Sequence, residues 1–337
     1  MRALKVVGRA KDAAAGIAAL TVEKTPAPDA PGEGEVLIDV VAGALNFADL
    51  LMLTGAYQAT PEVPFTAGME LSGTVRAVGR KVDGVFVGDR VAAFAGSGAF
   101  AERALVRDAA CLQLPPQIAL ADGAALPIAF GTAHVGLTRR ARLRAGELLL
   151  VTGAGGGVGL AAVAVGKALG ATVIAAAGGP DKLARAKAHG ADHIVDYRTE
   201  DLREAVKTIA AERGKAGADV AFDPVGGAAF EAAQRALAFE GRLLVIGFAA
   251  GDVPQIAANR LLVKNIDALG FYWGAYAQAA PQVHRDSFHA LYEMFEQHRL
   301  QPEIGARFPL DRAADAYRAL AERGVAGKVL IEIAGGT

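Results

Sequence analysis

A glycine block between an apolar run and a helical pattern constrains the fold of this chain more than any other feature. The block "VTGAGGGVG" spans residues 151–159 and contains five glycines. Leu148–Val151 is a short, fully apolar run, as expected of a strand buried on both faces of a parallel sheet. Val158–Leu169 is apolar on most faces and is followed by Gly170, which predicts a helix that ends there. The sequence therefore predicts a strand, a glycine turn and a helix in succession.

The same alternation of strand and helix continues to about Trp273. Further strands are predicted at 171–178, 192–197, 218–227, 241–248 and 265–273. Helices are predicted between them at 180–190, at 199–214 with Thr199 as the N-cap, and at 228–241. This order predicts an α/β fold with a doubly wound parallel sheet, whose ligands bind at the carboxyl ends of the strands.

The glycine turn has the properties of an anion site. Glycine adopts φ > 0 and allows close approach to the backbone, and helix N-terminal amides favour an anion. The strict G-x-G-x-x-G pattern is absent, but Ala154-x-Gly156-x-x-Gly159 fits it with alanine first. A tight turn without a ligand would use similar residues, whereas the flanking strands and helices favour a dinucleotide. The residues predicted to hold the pyrophosphate are Gly155, Gly156, Gly157 and Val158.

The end of the second predicted strand indicates which dinucleotide binds. An NAD site usually places a carboxylate about 20 residues after the turn. Here that position reads Ala176-Ala177-Gly178-Gly179, and the first acid is Asp181, followed by Lys182 and Arg185. A 2′-phosphate is repelled by an acid and held by a cation, so the sequence favours NADP over NAD. The alternative is that Lys182 and Arg185 are solvated helix residues.

The remaining chain is long enough for a second domain. A chain of 337 residues usually forms more than one core. Residues 1 to about 120 contain short strand-like pieces separated by glycine and proline, which predicts a small, irregular β-barrel-like domain. The segment 281–337 contains two helical patterns and ends in the strand-like "GKVLIEI".

Composition argues against several classes of protein. Lys and Arg number 35 and Asp and Glu 36, and no basic stripe indicates nucleic-acid binding. No uninterrupted apolar segment reaches the length of a membrane span, and "MRALKVVGRAKD" lacks the apolar core of a signal peptide. The single cysteine, Cys111, cannot form an internal disulfide. We therefore expect a cytoplasmic protein that binds neither membrane nor nucleic acid.

Several motifs together resemble a known family. They are "GALNFADLLMLTGAY", "PFTAGMELSGTV", "VGDRVAAF", "GTAHVGL", "GAGGGVG", "GADHIVDY", "AFDPVGG" and "GKVLIEI", in this order. The chain resembles the medium-chain dehydrogenases/reductases, and within them the zinc-free quinone oxidoreductase (zeta-crystallin-like) branch. The resemblance implies a GroES-like β-barrel-type catalytic domain at 1–121 and 265–337 and a Rossmann nucleotide-binding domain at 122–264. It also implies a homodimer, commonly formed by joining the sheets of two nucleotide domains.

The residues at the metal positions of zinc-dependent relatives predict that no catalytic metal is bound. Those relatives use a cysteine and a histidine where this chain has Asn46 and Met69, and neither amide nor thioether is a good zinc ligand. A four-cysteine structural site cannot form with Cys111 alone. His189 and His193 have i, i+4 spacing, but a glycine lies between them.

The resemblance also assigns candidate site residues. Asn46 would lie beside the nicotinamide and donate to a substrate carbonyl, or else cap a helix with Asp49 supporting the first turn. Tyr57 would donate a proton or only pack. The predicted cofactor contacts also include Thr132 near the ribose, Gly178, Lys182, Tyr197 and Arg323 around the 2′-phosphate, and Phe248, Phe271 and Trp273 beside the nicotinamide, unless these aromatics pack an interface.

Three functions remain open at this point. Without a Lewis acid, a simple ketone or alcohol is harder to polarise, whereas a quinone accepts hydride readily. NADPH-dependent quinone reduction is therefore the first hypothesis. Reduction of a 2-enone, enal or enoyl thioester is the second, with Tyr57 as candidate proton donor, and a non-catalytic NADPH-binding role is the third. Met52 and Leu53 predict an apolar wall and a hydrophobic acceptor.

Overall fold

The chain forms two compact units. A computed structural model describes residues 1–298 and 300–333. One unit comprises Met1–Ile128 with Gly274–Thr337, and the other comprises Ala129–Trp273. The predicted boundaries, after residues 121 and 264, lie seven and nine residues earlier than those of the structure, which follow residues 128 and 273. The later second boundary arises because the last parallel strand lies at Asp267–Gly270.

Strands and helices are numbered here in chain order. The strands are β1 Arg2–Val6, β2 Thr21–Lys24, β3 Glu35–Leu45, β4 Phe65–Thr66, β5 Glu70–Val78, β6 Arg90–Phe94, β7 Arg103–Arg107, β8 Cys111–Gln113, β9 Leu148–Val151, β10 Thr172–Ala177, β11 His193–Asp196, β12 Ala218–Asp223, β13 Leu237–Val245, β14 Asp267–Gly270, β15 Ile304–Pro309 and β16 Lys328–Glu332. The helices are α1 Ala13–Ala18, α2 Phe47–Thr54, α3 Pro127–Val135, α4 Gly157–Ala168, α5 Pro180–Ala188, α6 Leu202–Ala211, α7 Gly227–Ala236, α8 Ala258–Leu262, α9 Trp273–Ala279, α10 Pro281–His298 and α11 Ala313–Ala321.

The unit Ala129–Trp273 contains a parallel sheet with the strand order β11-β10-β9-β12-β13-β14. The chain winds outward from β9 in one direction and then from β12 in the other. The residues of β9 and β10 are all buried, which explains why all of them except Thr172 are apolar. This order is that of a Rossmann fold and confirms the predicted doubly wound sheet.

The other unit is built mainly from antiparallel sheets. One sheet has the order β2-β1-β4. The larger one has the order β15-β16-β3-β5-β6-β8, with β7 also paired to β3 and only β15 and β16 parallel. The long strand β3 crosses this core, and its side chains pack with those of α2 and α11. The segment that follows the Rossmann unit therefore completes the sheet begun near the N-terminus.

Two predicted helix bounds were wrong. Asp201, not Thr199, is the N-cap of α6, and its carboxylate accepts the Glu204 N–H at 3.0 Å. Thr199 instead lies in the turn after β11. The predicted helix at 228–241 ends at Ala236, because Leu237 begins β13 and pairs with Ala218. Sheet pairing overrides the helical pattern there.

Candidate active site

The glycine turn joins β9 to α4 and requires glycine at two points. Gly153 has a φ of +58°, in the left-handed region. A Cβ on Gly159 would lie 2.2 Å from the carbonyl oxygen of Gly153, so the helix can approach the turn only without a side chain. Gly156 is the N-cap, and the amides of the first turn of α4 have no acceptor within the helix. The turn is therefore suited to bind a pyrophosphate, as predicted for Gly155, Gly156, Gly157 and Val158.

A buried aspartate holds the turn in place. Asp223, the last residue of β12, accepts hydrogen bonds from the Thr152 hydroxyl and, at 2.8 Å, from the Gly226 N–H. Burial raises the pKa of Asp223 to about 6, although these hydrogen bonds lower it in part. Asp223 thus ties the turn after β9 to the turn after β12. This role was not predicted from the sequence, although Thr152 directly follows β9 and Asp223 ends β12.

Lys182 lies over the glycine turn. A Cβ on Gly155 would lie 2.5 Å from the Cβ of Lys182 and 2.8 Å from its Cδ. The aliphatic part of this half-buried side chain therefore covers Gly155, and a larger residue at 155 would displace it. The structure brings together two residues that were predicted separately, one for the pyrophosphate and one for the 2′-phosphate.

The carboxyl end of β10 is covered by an arginine, Arg198, that was not among the predicted site residues. A Cβ on Gly178 would lie 2.6 Å from Nε of Arg198 and 3.2 Å from Cε2 of Tyr197. Within the described residues, Arg198 is exposed and its guanidinium forms no hydrogen bond or ion pair. Asp196 accepts the N–H of Gly179 at 3.1 Å and that of Arg198 at 3.0 Å, which holds the two loops together. A guanidinium and a phenol thus lie at the predicted 2′-phosphate position.

The other predicted contacts of this unit are more enclosed. Thr132 is buried in α3. Phe248 is half-buried after β13, where a Cβ on Gly226 would lie 3.4 Å from its ring. Phe271 is buried, and Trp273 packs so closely on α3 that a Cβ on Gly131 would lie 2.5 Å from its ring. Packing accounts for Phe271 and Trp273 in the structure, and stacking on a nicotinamide stays a prediction.

In the unit that contains the N-terminus, strand register places three polar residues together. Ala44 of β3 pairs with Glu70 at the start of β5, and Leu45 pairs with Val329 of β16. Lys328 therefore lies across from Asn46, which follows β3. Gly327 has a φ of +84° and no room for a Cβ, since one would lie 2.4 Å from the Glu303 carbonyl oxygen. The residues Asn46, Glu70 and Lys328 are all buried.

These three side chains form one hydrogen-bonded group. The Lys328 ammonium donates to Oδ1 of Asn46 at 2.7 Å and to Oε1 of Glu70 at 2.6 Å. Nδ2 of Asn46 donates to the same Glu70 oxygen at 2.9 Å and to the Ala44 carbonyl at 3.3 Å. The second oxygen of Glu70 accepts the Ile128 N–H at 2.8 Å. Asn46 begins α2 as predicted, but its side chain binds Lys328 and Glu70.

Asp49 adds a second carboxyl group. Its Oδ2 accepts the Asn46 N–H at 2.8 Å, so it supports the first turn of α2 as predicted. Its Oδ1 has no hydrogen-bond partner among the described residues. The pKa of Asp49 is raised to about 7; burial is the largest cause and Glu70 adds to the rise, whereas the Asn46 N–H and Lys328 oppose it. Tyr317 of α11 also has a raised pKa, because it is buried and near the charge of Asp49.

The other predicted residues of this unit differ in exposure. Tyr57 is half-buried after α2, and Arg323 is exposed after α11 with a φ of +55°. The predicted apolar acceptor wall was wrong, because Met52 and Leu53 are only 2% and 1% exposed in the core. Leu53 packs against α1, where a Cβ on Gly16 would lie 2.7 Å from the Cβ of Leu53.

The described part of the chain contains no group of three or more His, Cys, Asp or Glu side chains placed to hold a metal ion. Met69 is buried, and burial raises the pKa of the Cys111 thiol, which makes it a poor thiolate ligand. The prediction of a metal-free site stays a prediction. Among the described helices, none combines the length and apolar character of a membrane span.

Comparison with known proteins identifies the family. Residues 32–116 match the sequence model described as alcohol dehydrogenase GroES-like domain, and residues 157–289 match the one described as zinc-binding dehydrogenase. Quinone oxidoreductase-like protein 2 of Mus musculus is 40% identical over 93% of this chain and 89% of its own length. The synaptic vesicle membrane protein VAT-1 homolog of Rattus norvegicus is 31% identical over 90% and 78%.

A solved structure extends the likeness to the whole fold. The quinone oxidoreductase from Thermus thermophilus, also solved in complex with NADPH, has a TM-score of 0.82 and 35% identity, over 99% of this chain and 100% of that chain. Full-length identity of this size and the shared architecture give one conclusion: the chain belongs to the medium-chain dehydrogenase/reductase superfamily, in its quinone oxidoreductase branch.

Proposed function

We propose that this protein is an NADPH:quinone oxidoreductase that works without a metal. The observation that carries the proposal is made at the carboxyl end of β10, where Tyr197 and Arg198 lie against Gly178 and Lys182 lies against Gly155 of the neighbouring turn. Cations in place of the usual ribose-binding carboxylate favour a 2′-phosphate. The names of the relatives supply the acceptor class, since one is quinone oxidoreductase-like and a solved one is a quinone oxidoreductase that binds NADPH.

The residues of the chain fit the cofactor. The amides of the first turn of α4 would hold the pyrophosphate, and Lys182, Tyr197 and Arg198 would hold the 2′-phosphate, whereas a cofactor contact of Arg323 stays a prediction. When bound, the reduced nicotinamide supplies a hydride. Asn46 would lie beside the acceptor, where hydride addition to a quinone carbon moves an electron pair onto the quinone oxygen. Solvent then protonates that oxygen, and the ring carbon loses a proton to solvent while the second oxygen gains one, which gives the hydroquinone.

We also propose that the protein is a homodimer joined through β14. This strand is the edge of the parallel sheet, and its outer side pairs with no strand in the described residues. Leu262 and Val263, just before it, are 76% and 74% exposed. Exposed apolar residues beside an open strand edge are typical of an interface. Cytoplasmic residence stays a prediction.

The first experiment measures steady-state loss of reduced-nicotinamide absorbance with a simple para-quinone, NADPH and the purified protein. We expect saturable turnover above the rate of a sample without protein, and a lower rate with NADH. Turnover of a 2-enone or enal but not of the quinone would instead favour alkene reduction, the second hypothesis. NADPH binding without turnover of either acceptor would refute the enzyme assignment and favour a binding role.

A further inference from the structure

The group formed by Asn46, Glu70 and Lys328 has a feature that simple helix capping does not require. A buried ammonium contacts the oxygen of an amide whose nitrogen contacts a carboxylate. We propose that Lys328 is a positioning residue for acceptor reduction, which orients and polarises the Asn46 amide so that its Nδ2 can bind the oxygen on which negative charge develops. This inference rests on the proposed function.

The hydrogen bonds fix one orientation of the amide. If the amide of Asn46 were flipped, Nδ2 would face the ammonium of Lys328, and two donors would oppose each other. Oδ1 would then face the Glu70 carboxylate. Lys328 and Glu70 together therefore select the orientation that presents Nδ2 as a donor.

One of the two hydrogens on Nδ2 of Asn46 can change its hydrogen-bond partner. The bond from Nδ2 to Oε1 of Glu70 is 2.9 Å long, whereas the bond from Nδ2 to the carbonyl of Ala44 is 3.3 Å long and weaker. The second hydrogen can leave the Ala44 carbonyl for a substrate oxygen at little cost. An ammonium on Oδ1 draws electron density from the amide and strengthens Nδ2–H as a donor, since linked hydrogen bonds polarise one another.

The net charge of Glu70 and Lys328 also affects how well Asn46 can bind an oxygen on which negative charge develops. Glu70 is fully buried, so without Lys328 its negative charge would lie uncompensated next to the donor that must bind a developing oxyanion. With Lys328 the pair is neutral. Asp49 is near enough to interact electrostatically with Glu70, Lys328 and Tyr317 of α11, and it is neutral only when protonated.

A pH dependence follows. The pKa of Asp49, raised to about 7, means that this carboxyl group loses its proton as the pH rises through neutrality. Asp49, Glu70 and Lys328 together then carry a net negative charge, which disfavours the development of negative charge on the acceptor oxygen. We expect kcat for the quinone to fall as the pH rises above about 7.

The test compares kcat, the KM for a para-quinone and the Kd for NADPH between the unaltered chain and its variants. We expect Lys328→Met to lower kcat roughly 10- to 100-fold, the loss typical of partners that orient a reacting group, with KM and Kd changed less than about threefold. Lys328→Arg should restore most of kcat. If Lys328→Met fails to fold, the double variant Lys328→Met with Glu70→Gln removes both buried charges and should still lower kcat, because Oδ1 of Asn46 has lost its ammonium partner.

Two further variants separate the role from mere structure. Lys5→Met is the matched control, because Lys5 is a half-buried lysine of the same unit that binds Thr66 at 3.1 Å, away from this group. Asp49→Asn should make kcat independent of pH between about 6 and 8. Turnover that is unchanged in Lys328→Met and its double variant overturns the inference alone, as does an unchanged pH profile in Asp49→Asn. Absence of turnover by the unaltered chain overturns the proposed function and the inference with it.

Discussion

Arg198 is the side chain to which we assign the preference for NADPH in the proposed function. Asp196 holds the Arg198 side chain over Gly178, because its carboxylate accepts the backbone N–H groups of both Gly179 and Arg198. Both oxygens of Asp196 accept backbone N–H groups. The guanidinium is exposed and forms no ion pair within the described residues. It is therefore available for a phosphate.

Arg198→Ala should reduce the preference for NADPH over NADH. Hydrogen bonds to a charged group contribute about 1.5–3 kcal/mol, which corresponds to a loss of about 10- to 100-fold in relative affinity. Titration of both cofactors by fluorescence or calorimetry measures it. Arg213→Ala is the control, because Arg213 is an exposed arginine after α6, before the amino end of β12. An unchanged NADPH/NADH ratio in Arg198→Ala, or an equal drop in the control, would contradict the assignment.

At this scale the sequence indicates local contacts better than distant ones. Lys182 follows β10 and Tyr197 follows β11, as the sequence predicted, and each lies beside a glycine of the predicted site. Lys328 was missed because it is separated from Asn46 by 282 positions in the chain. Only the pairing of β16 with β3 brings the two together, and no periodicity of the sequence reports that register.

Among the elements, the central strands β9 and β12 depend on one buried carboxyl group. Asp223 binds Thr152 at the end of one strand and Gly226 after the other. Since burial raises the pKa of Asp223 to about 6, the folded chain binds more protons than the unfolded chain between about pH 4 and 6. Stability from this group is complete below about pH 4 and decreases as the pH rises through 6.

Asp223→Asn should remove this pH dependence. An asparagine can accept the Gly226 N–H and donate to the Thr152 hydroxyl without carrying a buried charge. We expect the free energy of unfolding of the unaltered chain to fall by about 1–3 kcal/mol more than that of the variant between pH 4 and 7. Denaturant unfolding at several pH values measures it, with Asp252→Asn at an exposed position as control. Parallel curves for the chain and Asp223→Asn would exclude this role.

The sequence predicted the elements well where burial and local chemistry agree. β9 was predicted with its observed bounds, and α4 within one residue, with Gly170 in the left-handed conformation after it. The errors lie where two signals compete. Thr199 and Asp201 both resemble caps, and the run after Ala236 keeps a helical pattern although it pairs in the sheet.

For the whole molecule, the open edge at β14 is the surface through which we propose that two copies of the chain pair. A strand edge exposes unpaired backbone groups, and proteins usually cover it or join it to another edge. At β14, the Gly270 carbonyl accepts Arg140 at 3.1 Å, while Asp267 and Ala268 are exposed. Arg140 thus covers only the Gly270 end of β14. The rest of this edge is open, so that the β14 strands of two chains can pair antiparallel about a twofold axis.

The double variant Leu262→Asp with Val263→Asp should therefore separate the subunits. Two carboxylates beside β14 would be desolvated and repel their symmetry mates in a dimer, whereas in a single chain both positions stay exposed. Sedimentation should show a dimer for the unaltered chain and a monomer for the variant, with far-UV circular dichroism unchanged. Phe86→Asp is the control, because Phe86 is 67% exposed in the other unit. A monomeric unaltered chain, or a variant that remains dimeric while Phe86→Asp dissociates, would rule out this edge as the interface.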